Sequence, residues 1–253
     1  MPEGIDLIDA IDMDYPKFFD GLNPEDEVSL VGGDGTLHCF VNDMKGYDIK
    51  NNVYLYAAGT GNDFIRDLGG KAGDEVLIND YLKDLPLVKV NGEERYFVDN
   101  MSYGIDGYVC EVADEQRKKN PKVKVSYAMI ALKGLLGKFK PCCAEVTVDG
   151  VKKEYEHVWF APTMKGRFVG GGMLMAPEQD RRSGKLTVVV FHMKSRLGAL
   201  LRFPTIFSGT HVNYPKYVDV ITGNNIKVKF SRPCAAQVDG ETILNVHEYA
   251  VEM

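Results

Sequence analysis

Apolar residues follow two alternating rhythms along the first part of the chain. Val28 to Val31 and Val53 to Ala58 are short unbroken runs with the length of buried strands. Each is followed by apolar positions at helical spacing: Leu37, Phe40, Val41 and Met44 after the first, Phe64 and Leu68 after the second. Strand, turn and helix in succession predict a parallel α/β unit, which binds ligands at the C-terminal ends of its strands. Near residue 89 the rhythm becomes that of a β-rich fold. Val88 to Val90 and Tyr96 to Val98 flank Asn91-Gly92, while Glu145 to Val148 and Tyr155 to Phe160 flank Asp149-Gly150, and both read as hairpins. Further strands are predicted at Leu186 to Phe191, Val218 to Thr222, Ile226 to Phe230 and Tyr249 to Glu252, with helices over about 107–119 and 124–139.

Composition fits a soluble enzyme. At 253 residues, 45% hydrophobic and 26% charged, the chain can bury a large core and is expected to form two domains. No apolar run approaches the ~18 residues of a membrane span and no secretory signal opens the sequence, so a cytoplasmic location is expected. Cys39, Cys110, Cys142, Cys143 and Cys234 are odd in number and lack zinc spacing, which predicts reduced thiols.

Charge divides the chain unevenly. Residues 1–80 carry 17 acids and 5 bases, and the remainder 19 acids and 25 bases. Two long stretches have no Asp or Glu: Gln116 to Ala144 with eight Lys or Arg, and Arg181 to Val218 with seven. Both interleave bases with apolar residues, among them Met129, Leu132, Leu136, Leu197, Leu201 and Phe207. Such a surface suits anionic headgroups and acyl chains. Helices packed on a sandwich with their lysines in water would give the same pattern, and the sequence leaves both readings open. No nucleic-acid motif accompanies the charge, so no nucleic-acid partner is expected.

The candidate chemistry lies in two glycine-rich turns, Gly32-Gly33-Asp34-Gly35-Thr36 and Gly59-Thr60-Gly61-Asn62-Asp63. Glycine lets backbone N–H groups converge, and a following helix N-terminus adds partial positive charge, so phosphate is the natural ligand. A tight structural turn would explain either cluster alone. It would not need an acidic residue among glycines and threonines twice over, where Asp34 and Asp63 could hold a divalent metal or hydrogen-bond a nucleotide.

The strings VGGDGTLHCFVND and AAGTGNDFIRDLG resemble the catalytic domain of the diacylglycerol kinase family, which includes bacterial soluble lipid kinases and is related to sphingosine and ceramide kinases. Gly170-Gly171-Gly172 with Ala176-Pro177, and Val238-Asp239-Gly240-Glu241, extend the resemblance in the family's order over nearly the whole chain. It implies a fold of class α/β plus β: a Rossmann-like nucleotide-binding domain over 1–88, then a β-sandwich lipid-substrate domain over 89–253 whose last residues return to the first domain. The active site would lie in the cleft between them. Gly32, Gly33, Asp34, Gly35, Thr36, Gly59, Thr60, Gly61, Asn62 and Asp63 would bind ATP and Mg²⁺, with Glu241 as general base and Asp34 as its rival. Taken by itself, Asp239-Gly240 reads as an ordinary turn, Glu178 as a surface turn, and His38, His157, His192, His211 and His247 as structural, with His38 nearest the chemistry.

The implied activity is phosphorylation of a hydroxyl on a diacylglycerol-like membrane lipid, with peripheral contact to an anionic membrane surface; a homodimer is compatible with it. Relatives carry an Asn-Pro-x-Ser-Gly-like phosphate turn well before GGDGT, so this chain is expected to lack that first strand and turn. They also carry an Asp-Asp-Gly turn for a structural magnesium where this chain has Arg182-Ser183-Gly184, and Val-Asp-Ile-Gly where it has Leu87-Val88-Lys89-Val90. These departures keep a second expectation in view, a catalytically impaired nucleotide- or lipid-binding protein of the same fold.

Overall fold

The structure, a computed structural model, describes residues 4–253. Its first part comprises α1 (Tyr15–Asp20), β1 (Glu27–Gly32), α2 (Asp34–Asp43), β2 (Asn52–Ala57), α3 (Asp63–Asp67) and β3 (Glu75–Leu77). β1 and β2 pair in parallel, from Glu27 opposite Asn52 to Gly32 opposite Ala57, and β3 adds to β2 antiparallel. Leu30, Val53 and Leu55 point from this sheet into a core with Leu37, Phe40 and Phe64 from the helices. The alternation of buried and exposed residues along β2 shows why: one face meets the helices and the other meets water. Both glycine turns leave the C-terminal ends of the parallel strands.

The second part is a ten-stranded antiparallel sheet with helices on one side. In chain order its elements are β4 (Leu87–Val90), β5 (Glu93–Tyr96), β6 (Asn100–Tyr103), α4 (Ile105–Lys119), α5 (Tyr127–Lys133), β7 (Cys142–Val148), β8 (Val151–Phe160) and β9 (Thr163–Met164). A small separate ribbon of β10 (Phe168–Val169) and β11 (Met173–Leu174) comes next, and then β12 (Leu186–His192), α6 (Arg196–Arg202), β13 (Val218–Gly223), β14 (Asn225–Val238) and β15 (Glu241–Glu252). β14 pairs with β7 through its first half and with β6 through its second, so the sheet closes on itself around Tyr103, Val146, Val188, Val228 and Tyr249. On β12, Val188 and Val190 face that interior while Val189 and Phe191 face α4, α5 and α6 across Trp159. A strand buried on both faces reads as an unbroken apolar run, which is how it stands in the sequence.

Asn91-Gly92 and Asp149-Gly150 form two-residue hairpins with positive φ at both positions, as the sequence predicts, although the first returns through Glu93–Tyr96 and not Tyr96 to Val98. Asp239-Gly240 is a third such hairpin, and the strands it joins run from Asn225 to Glu252, far longer than the two short strands expected there. Ser231-Arg232-Pro233 masks the continuity, because proline removes a ladder donor and the pairing lapses between Lys229 and Cys234. β6 also escapes the apolar pattern, since buried Asn100 and Ser102 occupy half of it. The helix expected over 124–139 is α5 followed by a wider turn, Gly134–Lys138. Among the described residues no helix is long and apolar enough to cross a membrane.

Candidate active site where three glycine loops meet

The two glycine turns touch backbone to backbone. A Cβ on Gly59 would fall 2.5 Å from the Cα of Gly33, and one on Gly33 would fall 2.8 Å from the Cα of Gly59, so neither position accepts a side chain. Thr36 folds back over Gly32, and Gly61 lies between the Asp34 carboxylate and Gly171. Within its own loop, Asn62 sits at φ 53° and closes the turn: its Oδ1 accepts from the Gly59 N–H (3.0 Å) and its Nδ2 donates to the Gly59 carbonyl (2.7 Å).

Asp34 links the turns electrostatically. Its Oδ2 accepts from the N–H of Asp63 and its Oδ1 from that of Phe64, both at 3.0 Å, so this carboxylate caps α3. α2, by contrast, has Gly33 at its N-cap and no side chain capping it. Its first N–H groups and the positive end of its dipole are therefore directed at the gap between the loops.

The third loop, Gly170-Gly171-Gly172, comes from the sandwich, and all three glycines have positive φ. The Gly171 N–H donates to Asp63 Oδ2 at 2.7 Å, while Asp63 Oδ1 is buried without a hydrogen bond, 3.9 Å from Arg66 Nε. Burial pushes the Asp63 carboxyl up to about 6; the Asp34 charge adds to the rise and the Gly171 N–H opposes it.

Below the loops a buried ion network ties α3 to the sandwich. Arg181 donates through Nε to Asp67 Oδ2 (2.8 Å), through Nη2 to Asp99 Oδ1 (2.6 Å) and through Nη1 to the Val98 carbonyl, with its guanidinium over the ring of Phe64. Arg167 Nε donates to the other oxygen of Asp67 at 2.7 Å. Burial raises the Asp99 carboxyl and Arg181 opposes the rise, while nearby Asp34 and Asp239 reinforce it.

Asp239 holds the remaining corner. Its carboxylate accepts from the N–H groups of Val98, Asp99 and Asn100 at 2.8 to 3.0 Å and from His38 Nδ1 at 2.9 Å. A carboxylate so surrounded by donors offers only lone pairs, which places the ring proton of His38 on Nδ1. The next residues of the hairpin are Gly240, whose N–H donates to Gln237 Oε1 at 2.7 Å, and Glu241. The Glu241 side chain is exposed, makes no hydrogen bond among the described residues, and is close enough to α2 that its charge adds to the burial that raises the Cys39 thiol.

The two glycine turns thus meet each other and the third loop, and Glu241 lies beside α2, near Cys39. The sequence does not reveal Asp67, Asp99, Arg167 and Arg181, nor the role of Asp239, although Asp239 stands two positions before Glu241 and its partner His38 stands two positions after Thr36. Among the described residues no cluster of three or more His, Cys, Asp or Glu forms a metal site.

Comparison with known proteins bears on the family and the fold. Residues 17–86 match the family described as diacylglycerol kinase catalytic domain, and residues 99–250 match the YegS C-terminal NAD kinase beta sandwich-like domain. The chain is 29% identical over 195 residues to a diacylglycerol kinase of Mycobacterium tuberculosis (strain ATCC 25618 / H37Rv), covering 74% of this chain and 62% of that protein. It is 29% identical over 229 residues to a diacylglycerol kinase of Bacillus subtilis (strain 168), covering 87% of this chain and 72% of the relative. This chain therefore spans less than two thirds of the mycobacterial relative's length. The crystal structure of a diacylglycerol kinase from Bacillus anthracis str. Sterne shares the fold, with a TM-score of 0.59 at 16% identity over 94% of this chain and 76% of that one.

Proposed function

This chain belongs to the diacylglycerol kinase family, and from that premise we propose that it is an ATP-dependent lipid kinase, phosphorylating a hydroxyl of a diacylglycerol-like membrane lipid. The observation that carries the reading is the gap itself: an uncapped helix N-terminus between two crossed glycine turns, with the exposed carboxylate of Glu241 beside the same helix. The division into a nucleotide domain over about 1–88 and a substrate domain beyond belongs to the same proposal.

In this reading the N–H groups at the start of α2 and the loop around Asn62 cradle the phosphates. ATP supplies the γ-phosphoryl group, and Mg²⁺ accompanying it neutralises the phosphates. The residues fit that role, because buried Asp63 Oδ1 makes no hydrogen bond and has only the more exposed Arg66 Nε, 3.9 Å away, as a charge partner. Glu241 takes the proton of the lipid hydroxyl as its oxygen bonds to phosphorus and the bond to the ADP oxygen breaks. Asp34 is less suited as the base, since both its oxygens already accept backbone N–H groups. The exposed apolar residues Leu136, Leu197, Leu201 and Phe207, beside the lysines of the acid-free stretches, support peripheral contact of a cytoplasmic protein with an anionic membrane. Arg196 and Arg202 contribute less to that contact, as they lie over Trp159 and Tyr217.

The test is transfer of labelled phosphate from ATP to a panel of diacylglycerol, monoacylglycerol and sphingoid lipids. Glu241→Gln should lower the rate by about 10² to 10⁴ and leave ATP affinity nearly unchanged. An unaltered rate removes Glu241 from the role. ATP binding without transfer to any lipid favours a binding protein of the same fold.

A further inference from the structure

A cavity of about 500 Å³ opens between α4, the segment after α5 and the kink of β14. Its origin is local. Pairing between β14 and β15 lapses at Ser231-Arg232-Pro233, while α4 is pressed against the strand just beyond, at Gly107, where a Cβ would fall 2.1 Å from the Ala235 carbonyl oxygen. The strands part beside a helix that cannot move in to fill the gap. Phe139 and Tyr108 line the apolar part, and Lys138, Lys140 and Arg232 bring three cations against the single carboxylate of Glu111. None of these cations lies within ion-pair distance of an acid among the described residues. Arg232 is held in place, donating to the Lys140 carbonyl with its guanidinium 6.0 Å from the Phe139 ring centroid.

The position is informative. Leu136, 65% exposed, adjoins the cavity in sequence, and Leu244, 50% exposed, lines it. Leu244 is three residues along β15 from Glu241, roughly 10 Å at the rise of a strand. A diacylglycerol-like acceptor carries no charge and gives three unpaired cations nothing to bind. A phosphate does, and Arg and Lys beside an apolar wall suit a phosphate that carries acyl chains.

We propose that this cavity binds the headgroup phosphate of an anionic phospholipid in the membrane surface, at a site separate from the acceptor lipid. The proposal rests on the reading of a membrane-borne acceptor, and its test uses no ATP, so that docking and phosphoryl transfer are read independently. The full chain is sedimented with phosphatidylcholine vesicles with and without phosphatidylserine. Replacing Lys138, Lys140 and Arg232 together by Gln should weaken binding to the anionic vesicles by roughly a hundredfold, at about fivefold for each cation near the surface. Changing Lys119, Lys122 and Lys124 to Gln, in the same acid-free stretch but outside the cavity, should weaken it at least about tenfold less. Should Arg232→Gln disturb folding, the Lys138→Gln, Lys140→Gln pair carries the test with a loss of about thirtyfold. Short-chain phosphatidylserine below its micellar concentration should raise the melting temperature of the parent and not of the cavity variant. Equal losses in the two triple variants would show diffuse surface attraction and overturn the site. Inorganic phosphate raising the melting temperature as much as the short-chain lipid would overturn the lipid as its ligand.

Discussion

Replacing Asp63 by Asn should stabilise the protein while damaging its candidate site. Asp63 is 5% exposed, one of its carboxyl oxygens has no hydrogen bond, and burial raises the group from its ordinary value of 3.8 to about 6. In the unfolded chain the group ionises near 3.8, whereas in the folded chain it keeps its proton until about 6. Between those values the folded state binds more protons, so stability falls as pH rises through the window and the full loss persists above it. At 1.36 kcal/mol per pKa unit the loss comes to about 3 kcal/mol. An amide cannot ionise, and its oxygen can keep the bond from the Gly171 N–H. Its buried NH₂ needs a partner, which takes back about 1 to 2 kcal/mol where none is found. Asp63→Asn should therefore be about 1 to 3 kcal/mol more stable than the parent above pH ~6, raising the melting temperature by several degrees. Below pH ~4 the gain should be gone, leaving the variant equal to the parent or up to about 2 kcal/mol less stable where its NH₂ finds no partner. Urea denaturation across this range measures both slopes. A variant less stable than the parent at neutral pH, or one retaining the parent's decline with pH, would refute the reasoning. The same variant should bind Mg-ATP more weakly if the gap is the phosphate site, a trade of function against stability common at active sites.

Arg181→Met leaves Asp67 and Asp99 buried without their shared cation and should cost about 3 to 5 kcal/mol in urea denaturation; a loss under about 1 kcal/mol would mean that the network is solvated. Gly59→Ala drives a methyl into the Gly33 backbone and should cost about 1 to 3 kcal/mol together with ATP affinity. Gly35→Ala, where a Cβ meets nothing within 4 Å, should leave stability nearly unchanged, and equal effects at the two positions would contradict the crossed-turn geometry.

What could be read from the sequence was local. Asn91-Gly92 and Asp149-Gly150 announce their hairpins because the turn conformation depends on two adjacent residues, and the glycine clusters announce tight turns for the same reason. The ion network gives no such signal. Arg181 meets Asp67 across 114 residues and Asp99 across 82, and nothing in the neighbourhood of any of them in sequence names the partner. Asp239 shows how a local reading can be right and still incomplete. Its backbone does form the turn that Asp-Gly predicts, but its side chain is buried and reaches His38 across 201 residues. That contact has a consequence for the proposed chemistry. His38 lies on the helix whose N-terminus faces the gap, and Asp239 lies two residues from Glu241, so one hydrogen-bonded pair fixes the candidate base relative to the candidate phosphate site. The three backbone N–H groups of Val98, Asp99 and Asn100 hold the other side of the same carboxylate, which joins the segment entering β6 to the turn as well. Phosphoryl transfer depends on positioning more than on covalent chemistry, and here the positioning rests on a residue that by itself reads as an ordinary turn.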